Sequence, residues 1–349
     1  MNVQAKAVMP TIRDVAKEAK VSVATVSYVL NDSGSVSEET RERVVQAVAK
    51  LGYRPSVIAR GLQARESRMI GYSWRPVPPN QFHPILDKFI HATAEAAVRH
   101  GYHVLTFPYP VPHDELAVYR EMIETVRVDG FILPNTYLDD RRIRYLVDVG
   151  FPFVAFGRSN PEWQFHWVDV DGSDGLKQAV THLLGLGHER IACLAWPEQS
   201  LTGRYRLSGY FAAMADAGQR VEEGWIIRAE NYYQDAYRAT QPWLAQPPDR
   251  RPTAVIAVSD LMAIGVMNAA ADAGLEVGRD LAVVGFDDAP ITDYLRPPLT
   301  SLRQPIAEVG ERVVTMLTQL VRGEMPSPAQ VLLKPRLIVR DSTALSARH

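Results

Sequence analysis

The chain has 349 residues, 46% apolar and 22% charged, enough to bury substantial cores and more than one typical domain needs. Its formal charge of −2 is unevenly spread: residues 1–68 hold 11 Lys and Arg against 7 Asp and Glu, a net +4, which leaves −6 for the rest. The single cysteine, Cys193, excludes an internal disulfide and a zinc site of the CxxC kind. No run approaches the roughly 18 apolar residues of a membrane helix, and residues 1–10 lack a signal-peptide core, so a cytoplasmic protein with a basic end facing an anionic partner is expected.

Thr11 caps a first predicted helix of about two turns, with Asp14 at its positive end and Ile12, Val15, Ala16 and Ala19 on one face. After Lys20 and Val21, Ser22 caps a second, in which Val26, Val29 and Leu30 form the inner stripe while Val23, Ala24, Ser27 and Tyr28 point elsewhere. Asn31-Asp32-Ser33-Gly34 ends it. Ser37 caps a third helix opened by Glu38 and Glu39, with Val44, Val45, Ala47, Val48 and Leu51 inward and Gly52 as its stop. Two short helices joined by a tight turn and braced by a third make a helix-turn-helix unit, whose second helix fits a DNA major groove. Spacing alone admits a plain packing domain equally well. Pro55 opens a further short segment, residues 56–63, followed by a polar stretch to Arg68.

From Met69 the pattern alternates short apolar strands with amphipathic helices: strand Met69–Tyr72, helix Leu86–His100, strand Val104–Phe107, helix Leu116–Thr125, strand Gly130–Leu133. It resumes with helix Asp174–Leu186, strand Ile191–Ala195, helix Ser208–Ala217, strand Trp225–Arg228, helix Asp235–Leu244, strand Ala254–Val258, helix Leu261–Ala273 and strand Leu281–Gly285. Such alternation predicts two α/β lobes built on parallel sheets, with ligands beyond the carboxyl ends of the strands. Val309, Val313, Val314, Leu317 and Leu320 lie at helical spacing, which suits either a dimer face or a core-facing helix.

The ordered string Thr11-Ile12-Arg13-Asp14-Val15-Ala16, Val21 to Ser27, Leu30-Asn31, Val36 to Arg41 and Leu51-Gly52-Tyr53-Arg54-Pro55 resembles the head of the LacI/GalR family of repressors. The resemblance continues through His182-Leu183, Leu186-Gly187-His188, Gly285-Phe286-Asp287-Asp288 and Pro297-Pro298-Leu299-Thr300, so it spans nearly the whole chain. It implies a helix-turn-helix head at 1–54, a hinge helix and linker at 55–68, and a periplasmic-binding-protein-like sensor at 69–349. The lobes are placed at about 69–167 with 299–330, and about 168–298 with 331–345, and the crossings near 167, 298 and 330.

By the same resemblance Val23, Ala24 and Tyr28 face base edges, and Thr25 and Ser27 lie near phosphates. Thr11, Ser22, Asn31 and Tyr53 complete the expected DNA contacts. Val23 and Ala24 suit a thymine methyl, and the Tyr28 hydroxyl suits a base or phosphate. Leu62 is implied as a minor-groove wedge in the hinge; without the resemblance, a linker leucine reads better as packing on the sensor. Lys20 and Gly61 depart from the glycine and serine usual in the family. In the sensor, Phe82 suits a ligand ring or the core, and Arg206 matches an arginine that binds sugar hydroxyls or a carboxylate. Asp287 matches a hydroxyl acceptor, with Asp288 beside it as a cap. Ser259 stands where the family commonly has asparagine, and Gly157-Arg158 where it has Asp-Arg. Asn135, Trp196, Tyr232 and Tyr233 are weaker suggestions from their strand-end positions. Aromatic faces with a few polar groups suit a sugar, the expected effector, and also a purine or an aromatic acid.

No GxxxxGK[ST], GxGxxG after a strand, HExxH or GxSxG is present, and His182 and His188 read as capping or packing residues, so no enzyme, cofactor or metal is expected. The expected partners are a pseudo-palindromic DNA operator, a small effector and a second copy of the chain, because one head makes few phosphate contacts and palindromes mirror two-fold dimers.

Overall fold

A computed structural model describes residues 10–30, 33–53, 66–76, 83–109 and 114–344, and the chain divides into two units between Ser67 and Arg68. In the first, helices α1 (Ile12–Ala19), α2 (Val23–Leu30) and α3 (Glu38–Leu51) enclose a small core of Val15, Ala16, Ala19, Val26, Val29, Val44 and Ala47. The Asp14 carboxylate accepts from the Thr11 amide and hydroxyl, both at 2.7 Å, and the Thr25 amide donates to Ser22 Oγ at 3.0 Å. These bonds satisfy N–H groups that open helix ends leave unpaired. Lys20 closes α1 in the left-handed region at φ 56°, letting the Val21 amide reach the Ala16 carbonyl. The turn therefore keeps its geometry without the glycine. Val45, expected inward, is 56% exposed: one residue past Val44 turns about 100° away from the face shared by Val44, Ala47, Val48 and Leu51.

The second unit holds two six-stranded sheets. The first has the order β11-β5-β4-β3-β1-β2, with β1 Met69–Trp74, β2 His103–Pro108, β3 Gly130–Leu133, β4 Phe153–Phe156, β5 Trp167–Val170 and β11 Gln330–Leu333, all paired in parallel. Phe131 and Leu133 of β3 enter one core cluster and Ile132 another, as a continuously apolar strand covered on both faces requires. Helices α4 (Pro84–Arg99), α5 (Ala117–Glu124), α6 (Arg141–Asp148) and α11 (Ile306–Val321) belong to this lobe. Val309, Val313, Val314 and Leu317 of α11 are fully buried there, so the helical spacing marks a core face.

The second sheet has the order β12-β10-β9-β8-β6-β7, with β6 Ile191–Ala195, β7 Ile226–Arg228, β8 Ala254–Ala257, β9 Ala282–Asp287 and β10 Thr300–Arg303 parallel and β12 Arg336–Ile338 antiparallel at the edge. Its helices are α7 (Gly172–Gly185), α8 (Leu201–Asp216), α9 (Tyr233–Leu244) and α10 (Asp260–Asp272). The chain passes between sheets after Val170, Arg303 and Leu333, a few residues later than the family resemblance placed the crossings. The difference is largest at β10, which pairs with β9 and so belongs to the second lobe instead of opening the return to the first. Both sheets reverse direction at their second strand, between β1 and β3 and between β6 and β8, and such reversals leave a crevice at the strand ends.

Candidate functional site

The outer face of α2 is solvent-facing. Val23 is 43% and Tyr28 50% exposed, Ser22 and Ala24 are exposed, and Thr25 and Ser27 are half-buried, while Val26 and Val29 on the opposite face are buried. Ser22 Oγ and Thr25 Oγ1 are 2.8 Å apart, so the hydroxyls at the start of α2 are held together. Thr11 is exposed at the start of α1, and Tyr53 packs half-buried against the core of the unit. Asn31, Leu62 with its hinge segment 56–63, and Phe82 lie outside the described residues.

The second constellation gathers at the strand ends, where Lys88 meets Asp288 and Arg158 meets Tyr205 across the two lobes. Ser200 Oγ accepts the Gly203 amide at 3.1 Å and starts α8 well before the expected Ser208, so Arg206 lies inside the helix and is 5% exposed. Its guanidinium carbon sits 3.6 Å from the Phe286 ring centroid and 4.7 Å from that of Trp196. Nη1 donates to the Val258 carbonyl, Nη2 lies 3.7 Å from Asp287 Oδ1, and Nε has no hydrogen-bond partner among the described residues. The Trp196 indole Nε1 is likewise buried without a partner among the described residues. A buried unmet donor costs about 1–3 kcal/mol, which an acceptor from a ligand offsets. Burial lowers the basicity of Arg206, with Asp287, Asp169 and Asp260 acting against it.

Asp287 ends β9 at φ 117° and accepts from Gln304 Nε2 at 2.7 Å; burial raises its pKa to about 6 against the pull of Arg206. Asp260, at the start of α10, accepts from Ser301 Oγ at 2.5 Å and the Ala289 amide at 2.7 Å, and burial, then Asp287, raises it well above the carboxylate range. Asp288 is an ion-pair anchor more than a cap: it takes Arg303 at 2.5 Å and Arg340 at 2.8 Å, which outweigh burial and lower its pKa. Its carbonyl accepts Lys88 Nζ from α4 of the other lobe at 2.6 Å. Ser259, 1% exposed, caps α10 and donates to Asn231 Oδ1 at 2.6 Å, so it orients Asn231.

In the first lobe Arg158 pairs with Asp169 at 2.6 Å, and its guanidinium carbon lies 3.5 Å from the ring centroid of Tyr205, on α8 of the second lobe. Burial raises the Asp169 pKa, with Arg158 opposing. Gly157 has φ 116°, and a Cβ there would come 2.4 Å from Thr136 Oγ1, so the carboxylate usual before Arg158 has no room. Asn135 is exposed after β3, and its carbonyl accepts from Arg142, 3.3 Å away. Tyr233 accepts from Asn268 at 2.9 Å and Tyr232 precedes α9, both half-buried. The structure thus brings Arg158, Arg206 and Asp287 into one charged constellation and adds Asp169, Asp260, Asn231, Gln304 and Lys88, which sequence reading missed. Asp169 had a signal, a carboxylate in the apolar run Trp167-Val168-Asp169-Val170; Lys88 had none, because its partner lies 200 residues away.

His182 and His188 hydrogen-bond Thr343 at 2.9 Å and Thr253 at 3.1 Å, and burial pushes the Cys193 thiol up to about 12. Among the described residues no helix is long and apolar enough to cross a membrane.

Residues 11–56 match the family model of bacterial regulatory proteins, lacI family, and residues 180–343 that of the periplasmic binding protein-like domain. The chain is 33% identical over 334 residues to the HTH-type transcriptional repressor CytR of Escherichia coli, covering 95% of this chain and 96% of that protein. Among solved structures, the transcriptional regulator CelR in complex with cellobiose aligns with TM-score 0.73 and 31% identity, over 95% of this chain and 99% of that one. A lac repressor dimer bound to operator and the anti-inducer ONPF aligns with TM-score 0.83 and 28% identity, over 97% and 100%.

Proposed function

The chain belongs to the LacI family and is a DNA-binding transcriptional regulator, not an enzyme, and from that premise we propose that it is a repressor whose two-fold dimer reads a pseudo-palindromic operator under the control of a sugar held between the sensor lobes. The observation that carries the DNA half is the division of α2, with Val26 and Val29 buried and Val23, Ala24 and Tyr28 presented to solvent. A helix packed on one side only is free to lie in a major groove. Val23 and Ala24 meet thymine methyls, Tyr28 a base or phosphate, and Thr11, Ser22, Thr25 and Ser27 the backbone. Asn31, Tyr53 and Leu62 join them on the family resemblance.

The sugar half rests on Arg206 and Asp287, a donor whose Nε–H is unmet among the described residues beside a buried acceptor at the end of β9. Asn135 and Arg158 contribute from the first lobe and Ser259 through Asn231. The CelR relative with its bound cellobiose favours a sugar over a purine or an aromatic acid. Ligand contacts on both lobes set their relative angle and so couple to the DNA-binding end.

The test is selection of bound sequences from a randomised palindrome pool, followed by fluorescence anisotropy at stated salt, because phosphate contacts make affinity salt-dependent. Enrichment of one palindrome, bound by a dimer in light scattering and released or tightened by a sugar, is the expected result. Sequence-blind binding, or a monomer on DNA, refutes the proposal.

A further inference from the structure

We propose that Trp196 is a specificity-determining residue of the cleft: its indole N–H, beside Arg206, selects uncharged polyhydroxylated ligands that place an oxygen acceptor there. The inference rests on the sugar reading above and deepens it. Trp196 directly follows β6, at the strand reversal between β6 and β8 where a crevice opens. Its backbone is anchored, since its carbonyl accepts Arg228 Nη1 at 2.9 Å. Its Cβ occupies the space left by Gly203 on α8: a Cβ added to that glycine would come 2.9 Å from it. So held, the indole ring centroid lies 4.7 Å from the Arg206 guanidinium carbon, which also sits 3.6 Å from the Phe286 ring centroid.

Two buried N–H groups here, Trp196 Nε1 and Arg206 Nε, lack acceptors among the described residues. The charge around them decides which acceptor fits. Arg206 faces Asp287, Asp169 and Asp260, and its remaining nitrogens are directed at Asp287 and the Val258 carbonyl. An anionic ligand brings further negative charge next to Asp287 and Asp169 with no free counter-charge on this arginine. A sugar hydroxyl accepts from an N–H and donates to a carboxylate, so it matches both kinds of neighbour. A site built to hydrogen-bond a hydroxyl rejects the analogue that lacks it far more strongly than an apolar pocket does.

The experiment is thermal-shift screening and then calorimetric titration of the full-length chain and Trp196→Phe. The probes are glucose, galactose, ribose and cellobiose, with the deoxy and phosphorylated derivatives of each, and adenine and benzoate as a nucleobase and an organic acid. The expected result is that a neutral sugar binds the wild type better than both derivatives, and that Trp196→Phe weakens it roughly five- to twenty-fold while flattening the preference over the deoxy form. Should the phenylalanine variant melt early, the same titration on Trp196→His, which keeps a ring N–H, is expected to retain that preference. Unchanged sugar binding and discrimination in Trp196→Phe, loss of discrimination in a folded Trp196→His, or tighter binding of a phosphorylated form overturns the assignment and leaves the sugar reading standing. Wild type that ignores every sugar but is stabilised by a nucleobase or an organic acid overturns the sugar reading itself, and the assignment with it.

Discussion

The head and the sensor use their functional residues in opposite ways. In the head, the side chains proposed to act stand outside the core, as Val23 and Tyr28 do, and the fold holds without them. In the sensor they are interior: Arg206, Asp260 and Asp288 are buried and each is held by other polar groups. A surface that meets a large rigid partner can separate stability from recognition. A cleft that encloses a small molecule cannot, because the groups that bind it must also be satisfied by one another.

The largest test of that contrast lies at the strand ends of the first lobe, next to Asn135. Arg142 and Asp140 are both wholly buried and pair at 2.6 Å, with the Arg142 guanidinium also within reach of Ser73 Oγ and the Pro134 and Asn135 carbonyls and 4.6 Å from the Tyr109 ring centroid. Arg142→Met strands the Asp140 carboxylate, so denaturant unfolding of the sensor should show a loss of about 3–5 kcal/mol. A loss under about 1 kcal/mol would mean that solvent reaches the pair, against its burial, and the contrast with the head would weaken.

Tyr28→Ala probes the other side. Its stability cost should stay within about 0.5 kcal/mol, as for exposed positions generally, while operator affinity falls by about 1–3 kcal/mol. Equal losses on operator and random DNA would move Tyr28 from base reading to phosphate contact.

The same contrast explains what could be read in advance. Helical periodicity and capping residues placed α1, α2 and α3 and separated Val26 from Val23, because in a small helical unit inward and outward follow directly from spacing. Strand β6 was legible end to end, but α6, β4, β5, β11 and β12 were not, being short elements whose burial depends on neighbours distant in sequence. Arg206 and Asp287 came from family resemblance. Their burial, the Asn231–Ser259 bond and the Lys88 bridge are tertiary facts with no local signature. Gly157 shows the reverse case: its departure from the family pattern was visible, and its cause, Thr136, only in three dimensions.

A smaller effect concerns protons. Asp287 is faced by Arg206 on α8, Asp260 on α10, Lys88 on α4 and Gln304 beyond β10. Burial raises its pKa from 3.8 to about 6. Between those values the folded chain keeps a proton that the unfolded chain has lost, so this group makes stability fall as pH rises through the window. A sugar hydroxyl donating to Asp287 needs the ionised form. Sugar affinity should therefore be flat above pH 7 and fall as pH drops through the Asp287 pKa, by at most about tenfold per unit. Calorimetry across that range should show a flattened profile in Asp287→Asn; an unaltered slope would assign the proton elsewhere.

The smallest change separates stability from charge within the head alone. Lys20 sits in the left-handed region at φ 56°, a conformation that costs a non-glycine residue about 1–2 kcal/mol. Glycine removes that cost but loses more backbone entropy on folding, roughly 0.5–1 kcal/mol. Lys20→Gly should therefore raise the stability of the head by at most about 1.5 kcal/mol, the largest difference between those terms, read as a small upward shift in its melting transition. The same change deletes an exposed cation. If the Lys20 ammonium neutralises a phosphate, the slope of log affinity against log salt should become shallower by about 0.9 per head, with no change in which sequence is preferred. A stabler head that binds operator and random DNA more weakly by the same factor would place Lys20 on the backbone and leave reading to α2. A lost preference between sequences would show that the turn also sets the angle at which α2 meets the groove, and recognition in the head would then depend on its fold as closely as it does in the sensor.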